Sequence, residues 1–523
     1  MMRHVFYVTT IIAYAAIYIL HFVWPPAIHF LWVVVPLTLV GIYDIFSSHN
    51  VLRNYPVIGH LRYMMEFIRP EIRQYFIASD FDGRPFNREQ RTLVYKRAKQ
   101  VSDVEPFGTR HDVNKAHYLS AAHTIRPKHV DRNEGRIMLG GPHCERPYHA
   151  SRLNISAMSF GALSPNAIRA LNLGAKAGNF FHNTGEGGLS PYHLQGGDVC
   201  FQIGTGYFGC RTPDGKFDPE QFAKKANREE VKMIEIKISQ GAKPSHGGIC
   251  PGAKVNEEIS KARGVPVGQD CISPPAHTAF ETPLDLMDFI TQLRKLSGGK
   301  PVGFKLCIGE KREFLAICKA MLERDVTPDF ITVDGAEGGT GAAPAEFANR
   351  LGTPIDEAIY FVHQSLKGIN KREHIRLISS GKIVSGFDMV HKFALGADMC
   401  NMARPFMFAI GCIQALRCHT NKCPTGVTTQ DPTRYKALVY QEKWRHVKNY
   451  HETTVNSMLD LVGAMGLTTP SDLTTFHLIH RTSGMTCERL SNIHEELKPG
   501  ALLGTTIPAK FANDWQAAHA EHF

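Results

Sequence analysis

The chain has 523 residues, 45 of them glycine, which suffices for one barrel-sized domain with appendages or for two or three smaller domains. Its formal net charge of +10 is modest for this length, and no stretch of clustered lysine and arginine with interleaved aromatic residues occurs, so we predict no nucleic-acid partner. Twelve cysteines in so long a chain also argue against a small disulfide scaffold.

Residues 1–50 predict a transmembrane helical hairpin. Residues 5–24 carry no charged side chain, and residues 27–42 are again apolar, so each run approaches the ~20 residues that cross a bilayer. The alternative is a secretory signal peptide, but a signal peptide has a shorter apolar core, and here a second apolar segment follows at once. Arginines flank the hairpin and its connecting loop has none, so the positive-inside bias predicts a membrane-anchored protein whose catalytic domain is cytoplasmic.

Residues 51–150 predict a helical collar or linker, polar and rich in arginine, with amphipathic pieces such as HLRYMMEFIRPEIRQYF. Two interpretations stay open for this segment. Its arginines lie against anionic lipid headgroups, or the helices form a solvated collar packed on the main domain.

Residues 151–430 predict the main domain, because short β-rich runs alternate there with glycine-rich or polar loops and helical patterns. Eight such units predict an α/β fold, a closed (β/α)8 TIM barrel with its catalytic groups in the loops after the strands. A long insertion between Gln240 and Val302 interrupts the spacing, and residues 431–523 predict a C-terminal helical extension. The predicted strands are Asn154–Ser159, Asn179–Asn183, Val199–Gly204, Met233–Ser239, Val302–Leu306, Phe330–Val333, Ile375–Ser379 and Asp398–Met402.

Polar or small residues follow four of these runs, at the end of a barrel where catalysis takes place. Lys305 lies inside an apolar strand, which is an expensive position for a charge unless the side chain faces an anion. Each of these residues taken alone also has an interpretation as a satisfied structural residue, but four strand ends together favour a functional site. The candidates are Met158, Ser159, Glu186, Gln240, Lys243 and Lys305.

The loops after the last three strands are built from glycine and other small residues. Barrels commonly bind phosphate after strands seven and eight, where free backbone N–H groups and a nearby Arg404 or Lys382 would hold the anion. The alternative is that these glycines only turn the chain. The phosphate-site candidates are Gly338, Gly339, Ser380, Gly381, Ala403 and Arg404.

Three cysteines, Cys412, Cys418 and Cys423, follow a C-x5-C-x4-C spacing directly after the eighth strand. Thiolates close together on one loop are typical of iron–sulfur clusters because soft sulfur suits iron. A zinc site would need a fourth ligand, for which only His419 is near, and three ordinary core thiols are the remaining alternative.

Seven motifs in this order resemble the FMN-binding synthase domain of glutamate synthase: SAMSFGALS, NTGEGG, EIKISQGAKP, ISPP-H, FKL, GGTGAAP and CHTNKCPTGVTTQ. The resemblance covers residues 150–430 and implies an FMN barrel with a [3Fe–4S] cluster held by the three cysteines. It also implies that Glu186, Gln240 and Lys243 line the 2-oxoglutarate and iminoglutarate pocket, and that Lys305 contacts the flavin.

The function implied is reductive amination of 2-oxoglutarate to L-glutamate, an oxidoreductase reaction of the CH-NH2 donor class. Large subunits of that family begin with a glutaminase and end with a β-helical domain, and neither is recognised here, so we expect ammonia to arrive free or from a partner protein. The family's GHDGGTGASP also reads GAEGGTGAAP in this chain. The sequence thus resembles the stand-alone, membrane-anchored form.

The electron donor is expected to be a separate protein. Gly204–Gly209 matches G-x-G-x-x-G, but the following Cys-Arg-Thr-Pro-Asp-Gly cannot begin the helix of a dinucleotide site. With no nicotinamide-binding domain evident, ferredoxin or a separate reductase is the predicted partner.

Two alternative functions remain open. One is an FMN and iron–sulfur dehydrogenase that acts on a glutamate-like amino acid and passes its electrons to a membrane carrier. The other is a non-catalytic membrane redox relay that keeps the cofactors without turnover.

Overall fold

The computed structural model describes residues 2–523, which form two compact units. The first unit ends at Glu89 and the second runs from Gln90 to Phe523.

The first unit begins with two apolar helices, α1 (Met2–Val23) and α2 (Leu31–Phe46), joined by the 3-10 turn Pro25–Phe30. The helices approach closely at Gly41, where a Cβ atom would lie 2.1 Å from the Phe6 ring. Both spans are long and apolar enough to cross a membrane, and their side chains are mostly exposed. The chain therefore contains a helical hairpin of membrane-spanning length and composition.

The end of α2 is tied to the helices that follow, α3 (Asn50–Asn54) and α4 (Gly59–Ile72). The buried carboxylate of Asp44 accepts hydrogen bonds from the Val57 backbone N–H and from His60 Nε2, each at 2.8 Å. These contacts satisfy an acidic group that would be costly to bury unpaired.

The second unit is built on a closed barrel of eight parallel strands, each hydrogen-bonded to its neighbours in sequence and the last to the first. Each predicted strand overlaps one barrel strand, so the predicted TIM-barrel fold is confirmed. The strands are β1 (Leu153–Ile155), β2 (His182–Asn183), β3 (Val199–Ile203), β4 (Val231–Lys237), β5 (Val302–Leu306), β6 (Phe330–Asp334), β7 (Arg376–Ser380) and β8 (Met399–Met402).

Helices surround the barrel and continue into the C-terminal region, where a helical extension is found as predicted. They are α5 (Arg88–Ala98), α6 (Pro165–Gly178), α7 (Pro219–Ala226), α8 (Glu257–Arg263), α9 (Pro283–Leu296), α10 (Lys311–Arg324), α11 (Ala345–Arg350), α12 (Ile355–Gly368), α13 (Gly386–Ala394), α14 (Arg404–Ala409), α15 (Pro432–Tyr435), α16 (Tyr440–Ala464), α17 (Leu490–Ile493) and α18 (Ala509–Ala517). Short strands outside the barrel are Leu119–Ala121, Arg136–Leu139, Tyr148–Ser151, Ile249–Cys250, Cys271–Ile272, Leu478–Arg481 and Cys487–Arg489.

The longest of these helices, α16, packs lengthwise on α6. Gly174 permits the close approach, since a Cβ there would lie 2.4 Å from Val447 Cγ1. The buried Tyr450 hydroxyl of α16 donates to the Val384 carbonyl at 2.6 Å. The longest helix of the C-terminal extension is therefore part of the barrel's outer layer.

The amino-terminal end of the barrel is closed by a β-hairpin, Arg136–Leu139 paired with Tyr148–Ser151. Leu139 and Ala150 of this hairpin pack against apolar side chains from the lower part of the barrel strands. We call this cluster the floor; its fully buried members are Leu139, Ala150, Phe181, Cys200, Met233, Phe330, Ile378 and Met399.

Candidate active site

A polar layer lies directly above the floor, because side chains two positions further along a strand point to the same face. At its centre is Glu235 on β4, which is 1% exposed. Its carboxylate accepts from the Asn183 amide at 2.7 Å, the Gln202 amide at 2.7 Å and the Thr332 hydroxyl at 2.6 Å. Three neutral donors from three different strands thus hold one buried acid in the middle of the barrel.

Lys305 on β5 lies near this acid and contacts a second one. Its Nζ is 3.2 Å from Asp334 Oδ2 at the end of β6, and the same oxygen accepts from the Gly241 N–H at 2.9 Å. Burial lowers the pKa of Lys305, but Asp334 and Glu235 outweigh it and hold that pKa above its ordinary value. The buried lysine therefore stays charged.

Glu186, which follows β2, pairs with a lysine from β4. Lys237 Nζ lies 2.6 Å from Glu186 Oε1, and the two side chains are 9% and 13% exposed. Burial raises the pKa of the Glu186 carboxyl, but the positive charges of Lys237, Arg263 and Lys243 outweigh it and leave that pKa below its ordinary value. The predicted catalytic glutamate is therefore an ionised carboxylate in a cationic setting.

Lys243 lies in the loop after β4 and is 2% exposed. Its pKa is lowered by burial and by the neighbouring charge of Lys237, while Glu186 opposes the shift. Gln240 lies three residues earlier in this loop and is half-buried. The loop thus brings Lys243 into the electrostatic field of the Glu186–Lys237 pair, and two lysines face one carboxylate.

The loops after β1 and β2 approach each other closely. A Cβ at Gly185 would lie 2.6 Å from the Ser159 backbone nitrogen, and the Gly187 N–H donates to Ser159 Oγ at 3.2 Å. Met158, beside Ser159, is 8% exposed. The predicted small-residue loop after β1 therefore lies against the loop that carries Glu186.

The predicted phosphate-site residues come together at the ends of β6, β7 and β8. Arg404 Nη2 donates to the Glu337 carbonyl at 2.8 Å, and a Cβ at Gly339 would lie 2.7 Å from Arg404 Nε. Burial lowers the pKa of Arg404 to about 10, although Asp334 and Glu337 oppose the shift. The guanidinium thus lies against the loop that contains Gly338 and Gly339. A side chain at Gly339 would prevent this close approach.

The end of β7 borders the end of β1. Ser380 Oγ lies 3.4 Å from Ser156 Oγ, and Gly381 has a φ of +150°, a conformation that L residues rarely adopt. Ala403 is the N-cap residue of α14, directly before Arg404. All nine predicted cofactor-binding residues therefore lie at one end of the barrel.

Buried Tyr207 and His277 form a hydrogen-bond chain that ends at the backbone carbonyl of Lys237. The Tyr207 hydroxyl accepts from the Thr278 and Ala279 N–H groups at 3.1 and 3.0 Å, so it donates its own proton to His277 Nδ1 at 3.0 Å. His277 Nε2 then donates to the Lys237 carbonyl at 2.9 Å. These hydrogen bonds require a neutral imidazole on His277, and burial lowers the pKa of that imidazole to about 4.

We expect His277 to make folding stability pH-dependent below neutrality. The pKa in the folded protein, about 4, is below the unfolded value near 6.5, so its contribution is complete above pH 6.5 and is lost as the pH falls toward 4. Urea unfolding measures the free energy of unfolding at pH 7 and at pH 4.5. The loss of this free energy between the two pH values should be smaller in His277→Gln than in the wild type, by on the order of 2–3 kcal/mol. An equal difference in both proteins, or the same reduction in the exposed control His522→Gln, would contradict this expectation.

The three predicted cluster cysteines share one loop, between α14 and α15. Burial raises the pKa of the Cys412 thiol to about 12, and the neighbouring thiols of Cys418 and Cys423 add to this shift. The Gln414 N–H points at Cys412 Sγ at 3.4 Å, and Lys254 Nζ holds the loop through the Cys418 carbonyl at 2.7 Å. The loop is ordered by contacts to the barrel insertion.

Within residues 2–523, no group of three or more histidine, cysteine, aspartate or glutamate side chains lies in position to bind a single metal ion. In a [3Fe–4S] cluster each of three thiolates binds a different iron, whereas a structural zinc ion takes four ligands, so three thiols on one loop fit such a cluster better than a zinc ion.

Several residues of the site are not singled out by the sequence patterns, among them the charged residues Glu235, Lys237 and Asp334. Lys237 carries the same sequence signal as Lys305, namely a lysine inside an apolar strand, and this signal could have identified it. In β4, Glu235 and Lys237 alternate with Ile234 and Ile236, a period of two that predicts a common face.

Comparison with known proteins identifies the family. Residues 91–468 match the conserved region in glutamate synthase. The chain is 37% identical over 489 residues to YerD of Bacillus subtilis, a glutamate synthase large subunit-like protein, covering 86% of this chain and 93% of that one. It is 36% identical over 315 residues to the archaeal glutamate synthase [NADPH] of Methanocaldococcus jannaschii, covering 60% of this chain and 58% of that one.

Other matches cover a smaller part of the relative or consist of a similarity in structure at low sequence identity. The glutamate synthase [NADPH] large chain of Bacillus subtilis is 31% identical over 327 residues, which is 61% of this chain and 20% of that one. Among solved structures, a flavocytochrome b2 variant with pyruvate bound aligns over 80% of this chain and 85% of that one, with a TM-score of 0.40 and 13% identity. A mandelate oxidase variant with (S)-mandelic acid aligns over 82% and 98%, with a TM-score of 0.41 and 13% identity.

The family match spans well over half of the chain and includes every barrel strand, the Glu186–Lys237 pair and the cysteine loop. The chain belongs to the glutamate synthase family.

Proposed function

We propose that this protein is an oxidoreductase that converts 2-oxoglutarate, ammonium, two electrons and two protons to L-glutamate and water. The observation that carries the proposal is the pairing at one barrel mouth of a carboxylate with two lysines, Glu186 with Lys237 and Lys243, in a chain of this family. Buried lysines suit a dicarboxylate substrate, and an ionised carboxylate suits proton transfer.

The barrel mouth has features that suit FMN. Glycines and small residues after β6, β7 and β8 leave room that side chains would fill, and Arg404 supplies positive charge beside Gly339. Among residues 2–523, the buried Asn401 Oδ1 on β8 has no hydrogen-bond partner, so a ligand N–H would satisfy it. Met158, Ser159, Gly338, Ser380, Gly381 and Ala403 would complete the cradle.

The proposed cofactors are FMN, which would supply hydride to an iminium carbon, and a [3Fe–4S] cluster on the three cysteines, which would supply electrons. Lys243 would bind a substrate carboxylate, and Gln240 would orient the same end of the molecule. Glu186 would hold or deliver a proton beside the reacting carbon, with Lys237 keeping it ionised between turnovers. Lys305, charged against Asp334, would place positive charge beside the flavin ring.

Turnover with defined substrates tests the proposal. Purified protein given 2-oxoglutarate, ammonium and a reduced donor such as ferredoxin should form glutamate. Lys243→Ala should lower the rate on the order of 100-fold, since a charge-assisted contact to substrate is lost, while the flavin absorbance stays unchanged. The exposed Lys224→Ala is the matched control. Wild-type protein that carries FMN and cluster yet forms no glutamate would overturn the proposal.

A second candidate function is a dehydrogenase that oxidises a glutamate-like amino acid and passes electrons to a membrane carrier. The apolar hairpin α1–α2, with its exposed side chains, favours this alternative. Reduction of a quinone analogue that depends on such an amino acid would support it. A phenotype that survives Lys243→Ala would instead favour a non-catalytic redox relay.

We propose that the hairpin α1–α2 anchors the protein in a membrane with its barrel in the cytoplasm. The full chain should remain in the membrane pellet after alkaline carbonate washing, because two apolar spans resist extraction. A protease added outside intact cells should leave the barrel uncut. Release by carbonate, or a mature protein whose mass lacks residues 1–24, would instead indicate a peripheral protein or a cleaved signal peptide.

A further inference from the structure

The insertion between β4 and β5 contains a two-stranded hairpin that lies on the Glu186 carboxylate. We call residues 247–273 the flap; its strands are Ile249–Cys250 and Cys271–Ile272. A Cβ at Gly248 would lie 2.3 Å from Glu186 Oε1, and Ser273 Oγ lies 3.5 Å from Glu186 Oε2. One residue from each end of the flap therefore contacts the central carboxylate of the site.

Two cysteines face each other across this hairpin. Cys250 and Cys271 are direct cross-strand partners, and both are free, 5% and 3% exposed respectively. The Ser273 N–H donates to the Gly248 carbonyl at 2.9 Å, so by alternation the cysteines also occupy a hydrogen-bonded position. The Cα atoms of such a pair lie about 5.5 Å apart, which is within the range that a disulfide spans.

One arginine connects this pair to the site. Arg263 Nη1 donates to Cys271 Sγ at 3.6 Å, and Nη2 donates to the Phe160 carbonyl, in the loop after β1, at 2.9 Å. Arg263 thereby connects the sulfur of Cys271 to the loop after β1. The same side chain limits the space at Gly187, where a Cβ would lie 3.0 Å from Arg263 Nη2.

We propose that Cys250 and Cys271 form a reversible disulfide that fixes the flap over Glu186 and slows turnover. The oxidant is a small-molecule disulfide. The Cys271 thiolate attacks one of its sulfurs and releases one thiol, and Cys250 then displaces the second thiol, so that two protein thiols and one disulfide become one protein disulfide and two small thiols. The modification itself is independent of the proposed reaction; its effect on rate rests on the proposed function.

The test uses the complete holoprotein with glutathione disulfide, followed by alkylation of the remaining thiols, trypsin digestion and mass spectrometry. Cleavage sites between the two cysteines place them in separate peptides, residues 238–254 and 264–294. We expect these two peptides to be linked, so that Cys250 and Cys271 both become resistant to alkylation in a two-electron step, and we expect dithiothreitol to reverse the link. The exposed Cys487, in the peptide of residues 482–489, reports that the reagent has reacted.

Variants separate this pair from other buried thiols. Cys250→Ala and Cys271→Ala should each lose the link, whereas Cys318→Ala, fully buried on α10, should keep it. Glutathione on Cys487 without any linked pair would overturn the proposed disulfide.

Rates measured before and after oxidation test the effect on the flap. Glutamate formation by wild type should fall and recover with dithiothreitol, while Cys250→Ala should keep its rate. A linked pair with an unchanged rate would overturn the effect on turnover. If no glutamate forms under any condition, the proposed function fails, but the peptide link still decides whether the disulfide exists.

Discussion

Replacing Lys237 with methionine should destabilise the fold and nearly abolish turnover. Its Nζ lies 2.6 Å from Glu186 Oε1, and removing one partner of a buried pair leaves a buried carboxylate without its main counter-charge, at a cost of about 3–5 kcal/mol. Because the pKa of Glu186 would rise, turnover should fall on the order of 10²–10³-fold. Urea unfolding and steady-state glutamate formation measure the two effects.

The matched control is Lys232→Met, on the same strand. Lys232 is 33% exposed and lies 3.8 Å from Asp198, so its loss should cost about 0–1 kcal/mol. The double variant Lys237→Met/Glu186→Gln removes both charges and should regain much of the lost stability without regaining activity. If Lys237→Met alone is as stable as Lys232→Met, Glu186 and Lys237 do not form a buried ion pair.

If the three cysteines hold the proposed [3Fe–4S] cluster, replacing Cys418 with alanine should remove that cluster and stop the proposed entry of electrons. Two thiolates cannot hold three irons in a cluster that needs one ligand on each. We expect iron and sulfide to fall from about three irons per chain to near zero, and donor-dependent glutamate formation to be lost. Flavin should remain, because the proposed FMN cradle is built from other residues.

Cys144→Ala is the control for this change, since Cys144 is also a free, partly buried cysteine but lies outside the loop. It should keep full iron content and activity. Iron retained in Cys418→Ala, or a cluster lost equally from Cys144→Ala, would contradict the assignment of the three cysteines.

The barrel was predictable because its signal is local and repeated. A buried parallel strand reads as a short apolar run, and the loop that follows it carries glycine or polar residues, so all eight strands could be recognised. The ends of strands were less predictable: β2 has only two residues, where five were predicted. In that part of the barrel, backbone pairing with β1 and β3 determines where the strand ends, and a single run of sequence does not show those partners.

The contacts within the site were less predictable than its location. Glu186 could be placed at a strand end from its glycine-rich loop, but its partner Lys237 is 51 residues away in sequence. Likewise, Lys305 was recognised as a lysine in need of an anion, while Asp334 comes from the neighbouring strand β6. Which charges meet depends on how the strands are aligned around the ring, and that alignment arises only when the barrel closes.

The apolar floor has a consequence for how molecules reach this site. Among the described residues, 2–523, the hairpin Arg136–Leu139 and Tyr148–Ser151 closes the amino-terminal end of the barrel, so the barrel axis provides no second route to Glu186. In the proposed reaction, 2-oxoglutarate, ammonium and glutamate would therefore all pass through the carboxyl-terminal mouth of the barrel, where the flap lies on Glu186. Glutamate would then have to leave through this mouth before the next 2-oxoglutarate can enter, so product release, as well as chemistry at Glu186, would contribute to the turnover rate.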